Sequence, residues 1–137
     1  MLRTAKATWK GGLKEGTGTF GVGSGAFQQQ NFGFRTRFEN APGTNPEELI
    51  AAAHASCFSM ALSAQLGERG VTPESVETTC SITFENLTLT KSHLKTHVTA
   101  RGADRIKVQE AVAAAKSGCP ISKVLKLDIE LEFDVTT

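Results

Sequence analysis

Three cysteines, Cys57, Cys80 and Cys119, are the residues of this 137-residue sequence best suited to chemistry. Their number is odd and no C-x-x-C occurs, so neither a disulfide framework nor a thioredoxin-like motif is indicated. What a cysteine offers is a thiolate, and a free thiol with a pKa of about 8.5 is only slightly ionised at neutral pH. Each cysteine must therefore be weighed by what its surroundings do to that equilibrium.

Cys57 falls among small residues within Ala51-Ala52-Ala53-His54-Ala55-Ser56-Cys57-Phe58-Ser59. Burial alone would raise its pKa and silence it, so an active Cys57 needs a cation nearby. Arg35 and Arg37 are the natural suppliers, because a guanidinium stays charged when desolvated. Without one, Cys57 is an inert core thiol. Cys119 precedes Pro120, which suits a first helical position and would leave Cys119 as an N-cap, where free N–H groups favour a thiolate. A plain helix-to-helix corner fits the same residues. Cys80 alternates with Val76, Thr78, Ile82 and Phe84 on an apolar strand face and reads as a small hydrophobe.

The histidines invite a metal reading through His93-x-x-x-His97, but on a strand these residues lie roughly 13 Å apart, too far to share an ion. A solvated face is the better account, and no metal or cofactor is expected. His54, one turn before Cys57, could activate a thiol in principle. A polar or packing role beside the cysteine suits it better.

The elements that must position these residues follow from local pattern. Gly11-Gly12 and the glycines from Gly16 to Gly25 punctuate short Thr-, Val- and Phe-rich segments, predicting hairpins. Gly21-Val22-Gly23-Ser24-Gly25 lacks the Lys-Ser/Thr of a phosphate loop. From Gly33 to Glu39, Phe34, Thr36 and Phe38 alternate with Arg35, Arg37 and Glu39, the period of a strand. Asn45-Pro46-Glu47-Glu48 is a helix start, with Asn45 as N-cap, Pro46 at N1 and Glu48 at N3. That helix should run to about Glu68, stop at Gly70, and be a buried central helix with Leu49, Ala53, Cys57, Met60 and Ala64 along its stripe. Strands follow from Val76 and over roughly Lys91–Ala100, the latter with Leu94, Thr96 and Val98 inward. A helix over about Asp104–Ser117 carries Ile106, Val112, Ala113 and Ala115. Pro120–Val124 forms a short turn, and a last strand sets Leu127, Ile129, Leu131, Phe133 and Val135 against acidic residues. The expected class is α+β in a single domain, 1–137.

Charge is nearly balanced, 15 basic against 14 acidic residues, so no field points to nucleic acid or an anionic membrane. No hydrophobic leader is visible, and no apolar stretch is expected to reach membrane-spanning length. A cytoplasmic protein is expected, and in that reducing setting paired cysteines are catalytic, sensing or metal-binding more often than structural.

Three stretches together resemble the OsmC family of the OsmC/Ohr thiol peroxidases: Gly33-Phe34-Arg35-Thr36-Arg37-Phe38-Glu39, the long run Gly43–Leu62 around His54-Ala55-Ser56-Cys57, and Ala115-Lys116-Ser117-Gly118-Cys119-Pro120-Ile121-Ser122. The resemblance covers essentially the whole chain. It implies antiparallel sheets with a long central helix in an intertwined homodimer. It also implies a peroxidatic cysteine at Cys57, a resolving cysteine at Cys119 and an Arg–Glu pair at Arg37 and Glu47. Organic hydroperoxides and hydrogen peroxide would be the substrates, in oxidative or osmotic stress defence, and an external dithiol of lipoyl type, free or protein-bound, the reductant. Ohr-type relatives place their arginine in the early hairpin; here that region reads Gly11-Gly12-Leu13-Lys14, which favours the OsmC branch. Independently of the resemblance, Glu47 and Cys57 are ten residues apart on one helix, ~15 Å along its axis. If both serve one site, a second chain must complete it. A redox sensor, or a non-catalytic binding protein with inert cysteines, is the alternative.

Overall fold

The computed structural model describes all residues, Met1–Thr137. The chain falls into two compact units, Met1–Leu49 and Ile50–Thr137. In the first, β1 (Ala5–Lys10), β2 (Thr17–Val22) and β3 (Gln30–Phe32) form an antiparallel sheet in that order. The rings of Trp9 and Phe32, 5.7 Å between centroids, close over Gly18. A Cβ there would stand 2.6 Å from the Phe32 ring, so only glycine allows this packing.

Residues 34–38 depart from the strand that alternation predicts. They form a short helix, α1 (Phe34–Phe38). The Thr36 hydroxyl accepts from the Gly33 N–H at 2.9 Å and donates to the Gly33 carbonyl at 3.0 Å, closing the first turn. Two pairs at helical spacing then hold it: the Phe34 and Phe38 rings, 4.9 Å apart, and Arg35 with Glu39 at 3.2 Å. Alternation over five residues fits a single helical turn as well as a strand, and these i,i+4 pairs decide between them. Arg35 and Arg37 therefore do not share a face as they would on a strand.

The helix α2 spans Pro46–Glu68. It opens as its cap signal requires: the Glu48 N–H donates to the Asn45 side chain at 2.8 Å. The Glu48 carboxylate accepts from Thr44 Oγ1 at 3.1 Å. The helix ends where Gly70 takes φ +74° and the Val71 N–H reaches back to the Leu66 carbonyl at 2.9 Å. Contrary to expectation, α2 is long and apolar enough to cross a bilayer, because its only formal charges lie at its ends. Its His54–Phe58–Leu62–Leu66 face is nevertheless fully buried within the protein, the packing of a core helix. The buried stripe also differs from the expected one. Ala53, Met60 and Ala64 are exposed, so in the single chain α2 is buried along one face only.

In the second unit, β4 (Ser75–Glu85) pairs antiparallel with β5 (Thr88–Thr99), and β5 pairs parallel with β6 (Asp128–Thr136). Crossover from β5 to β6 is made by α3 (Arg105–Gly118, capped by Asp104) and α4 (Pro120–Val124). Along β5, Leu94, Thr96 and Val98 are buried as their alternation dictates. On α3 the buried residues are Val108, Ala111, Val112 and Ala115. Ile106 is 65% exposed and Ala113 also faces out, against expectation. Phe58, Leu62, Leu66, Leu94, Val98, Val108 and Val112 form one core, into which Cys119 is also buried. The class is α+β, built from antiparallel strand pairs, one parallel pair at the β5–β6 crossover, and a long central helix.

Candidate active site

Cys57 lies in the middle of α2, and Cys119 is the residue from which α4 starts. Pro120 at N1 sets the helix direction without consuming a hydrogen bond, so the first N–H groups available are those of Ile121 and Ser122. The two sulfurs come within 3.3 Å of each other, although 62 residues separate them. Both are free thiols, Cys57 half-buried and Cys119 wholly buried.

Their surroundings act in opposite directions. Burial pushes the Cys57 thiol above its ordinary pKa; the Ile121 N–H works against this and Cys119 adds to it. None of these influences is a cation, so within this setting Cys57 has the inert character that its helix position implies. At Cys119 burial also favours the neutral thiol, but the Ser122 N–H and hydroxyl, the Cys57 thiol and the Ile121 N–H together outweigh it. The net result is a lowered pKa. Cys119 is at once the C-cap of α3 and the N-cap of α4, so it occupies a helix-to-helix corner as well as an N-cap, and its side chain makes no cap hydrogen bond.

Arg37 and Glu47 meet in the first unit. Nε and Nη2 of Arg37 both donate to Glu47 Oε1, at 3.0 and 2.8 Å. Both donors reach the same carboxylate oxygen. Glu47 is buried to 8% exposure, and the Arg37 ion 5.6 Å from the Phe38 ring gains a second anchor. Arg35 instead pairs with Glu39 on the surface. Beside Arg37 lies an apolar cleft of about 260 Å³, lined by Trp9, Phe32, Phe34, Phe38 and Pro46 among others.

Cys80 is half-buried against the core, and burial raises its pKa. His93 and His97 lie on the outer face of β5, where His93 contacts Glu130 and Glu132 at 3.2 and 3.0 Å and His97 contacts Asp134 at 2.9 Å. No group of three or more His, Cys, Asp or Glu side chains is arranged to hold a metal ion.

Sequence reasoning treated His54 as a packing position and missed its partners. The ring is wholly buried, with Nδ1 2.6 Å from Ser92 Oγ and Nε2 2.8 Å from Ser122 Oγ. Neither serine stands out in the sequence; only the spacing of His54 one turn before Cys57 marks this residue out.

The chain is similar to known proteins in sequence and fold. The family described as OsmC-like protein matches residues 38–134. Peroxiredoxin OsmC of Escherichia coli is 46% identical over 137 residues, covering 97% of this chain and 96% of that protein. Organic hydroperoxide resistance protein OhrB of Bacillus subtilis is 33% identical over 98% of each chain. The crystal structure of the Bacillus subtilis OhrB superposes with a TM-score of 0.65 at 30% identity, over 96% of this chain and 98% of that one. With a family match over most of its length and relatives at this identity along nearly all of it, the chain belongs to the OsmC-like family.

Proposed function

We propose that this chain is a thiol-dependent peroxidase that reduces organic hydroperoxides, and hydrogen peroxide, through a Cys57 sulfenic acid and a Cys57–Cys119 disulfide. The names of its relatives, peroxiredoxin and organic hydroperoxide resistance protein, support a peroxide-detoxifying role. The observation that carries the cysteine chemistry is the 3.3 Å approach of two free thiols from distant parts of the chain.

In this reading the Cys57 thiolate attacks the O–O bond, which breaks to leave a Cys57 sulfenic acid and an alkoxide that is protonated to the alcohol. The Cys119 thiolate then attacks the sulfenic sulfur, forming the disulfide as hydroxide leaves and becomes water. An external dithiol of lipoyl type reduces the disulfide in two exchange steps. A reducing cytoplasm is the compartment this cycle implies.

Burial raises the Cys57 pKa, so the first step requires a cation. Arg37, held by Glu47, is the proposed source, supplied by a second chain in a homodimer. Helix rise supports this, since ten residues keep Glu47 and Cys57 of one α2 ~15 Å apart. So does the exposed stripe of Ala52, Ala53, Ser56, Met60 and Ala64 along α2, four small residues around one large apolar side chain, suited to packing against another helix. The apolar cleft beside Arg37 suits the hydrocarbon part of an organic hydroperoxide.

Peroxide consumption with dihydrolipoamide as electron donor tests the proposal. The wild-type protein should turn over cumene hydroperoxide and Cys57→Ser should not. Retained turnover in Cys57→Ser overturns the assignment. The raised Cys57 pKa also favours the inert-thiol alternative, which predicts thiols that resist alkylation at neutral pH in the native protein.

A further inference from the structure

The Arg37–Glu47 pair on which the proposed cycle depends is made between two helices, and their relative position must be set by something other than the pair itself. With five residues and no buried side chain, α1 is too short and too exposed to hold its own place. Asn45 joins the two helices directly. Its Oδ1 accepts from the Glu48 N–H at 2.8 Å, the N-cap bond of α2, whose first turn carries Glu47. Its Nδ2 donates to the Thr36 carbonyl at 3.0 Å, the oxygen of the peptide group that leads into Arg37. That carbonyl is among the last of α1, which have no partner within their own helix. One planar amide thus caps the end of α1 and the start of α2, and meets the main chain beside both members of the ion pair.

The surrounding backbone supports the same approach. The Thr36 hydroxyl is bonded to the N–H and the carbonyl of Gly33, at 2.9 and 3.0 Å, so Thr36 is also held from its other side. The connecting loop folds against Thr36 at Gly43, where φ is +130° and a Cβ would stand 2.9 Å from Thr36 Cγ2. Side-chain chemistry then separates two roles of Asn45. Capping α2 needs only an oxygen acceptor, which Ser, Asp or Asn supplies about equally well. Bonding to Thr36 needs an N–H donor on the same side chain, and of these three only Asn has one. The two partners also fix which way the amide faces, since one offers an N–H and the other a carbonyl. As an N-cap alone, Asn45 would be interchangeable with serine; its second bond makes it a joint between the helices.

We propose that Asn45 is a positioning residue for Arg37: by tying the Thr36–Arg37 peptide to the first turn of α2, it holds the guanidinium on Glu47, where oxidation of Cys57 requires its charge. The inference rests on the peroxidase reading for its purpose, and on the two bonds of the amide for its geometry.

Asn45→Ser and Asn45→Thr keep a hydroxyl cap for α2, add no charge and remove the donor to Thr36. The ¹H–¹⁵N resonance of the Arg37 Nε–H, assigned by its absence in Arg37→Lys, reports the bond to Glu47 without any peroxide. Its exchange with water should quicken about tenfold in both variants. In stopped flow at pH 7 with cumene hydroperoxide, oxidation of Cys57 should slow about 10- to 100-fold in both. In an Arg37→Ala background, where no guanidinium remains to be placed, Asn45→Ser should change that rate by less than about twofold. Wild-type exchange and oxidation rates in both variants overturn the proposal. So does an equal loss of rate in the Arg37→Ala background, the mark of a merely structural role. Failure of the peroxidase reading shows separately: the wild-type protein would not oxidise Cys57, while the Nε–H exchange would still respond to Asn45→Ser.

Discussion

The sulfurs of Cys57 and Cys119 lie 3.3 Å apart, one at mid-helix on α2 and the other at the cap of α4, and the Ile121 N–H lowers the pKa of both. The pair is asymmetric: burial raises the pKa of Cys57, while its hydrogen-bond donors bring Cys119 below the ordinary value. Such a pair suits two successive steps, in which Cys57 waits for an external cation and Cys119 is already disposed to be the second nucleophile.

Disulfide mapping follows directly from this spacing. One equivalent of peroxide should produce a Cys57–Cys119 bond, with Cys80 recovered as a free thiol in the peptide digest. Cys119→Ser should consume one equivalent and stop, accumulating Cys57 sulfenic acid and then more highly oxidised forms with further peroxide. A Cys57–Cys80 or Cys80–Cys119 bond as the main product would contradict the geometry.

Replacement of the two arginines should separate their roles. Arg37→Lys replaces the two donor nitrogens of a planar fork with one, and Glu47→Gln removes the charge that holds the guanidinium. Each should slow oxidation of Cys57 by about 10- to 1000-fold, the range that one opposite charge commands through a pKa. Arg35→Ala removes only an exposed pair with Glu39 and should change the rate by less than about twofold. Stopped-flow measurement of thiol oxidation at pH 7 distinguishes these outcomes.

The exposed stripe on α2 gives a test of assembly. Met60 is 76% exposed in the single chain, so Met60→Glu places its charge in solvent and should cost the isolated fold less than about 0.5 kcal/mol. If two α2 helices pack in a dimer, the same charge should be buried there, shift the protein to monomer in sedimentation, and remove activity with it. An active monomer would exclude the shared site.

His54 should set part of the acid limit of stability. Its pKa is lowered by burial in the folded state, against about 6.5 unfolded. Below 6.5 the unfolded chain therefore binds a proton that the folded chain does not, and stability falls as pH drops from about 6.5 toward the folded value; above about 7 this contribution is constant. Urea midpoints measured from pH 8 to pH 5 should show that slope, and His54→Gln should flatten it. A slope unchanged in His54→Gln would mean that the ring takes up its proton as readily folded as unfolded.

Much of this protein can be read from local pattern because the signals concerned are local. Asn45 and Pro46 start α2 through their own hydrogen bond and φ, Gly70 ends it by adopting a left-handed backbone, and the alternation in β5 follows from one buried face, whereas in β6 Phe133 is 40% exposed against expectation. Proline at position 120 was enough to make Cys119 an N-cap. Residues 34–38 show the limit of such reading, since a period of two over five residues does not exclude a helix, and the side chains of Thr36, Phe38 and Glu39 settled the matter.

Tertiary structure alone decided which residues meet. It joined Cys57 to Cys119 across 62 residues, and His54 to Ser92 and Ser122 across 38 and 68. It also turned Arg37 rather than Arg35 onto Glu47. Periodicity records which face of an element is buried, but carries no information on what lies opposite. Opposition is set by how the helices cross the sheet and where α3 and α4 return the chain to β6, and the ionisation of each thiol is a property of that crossing.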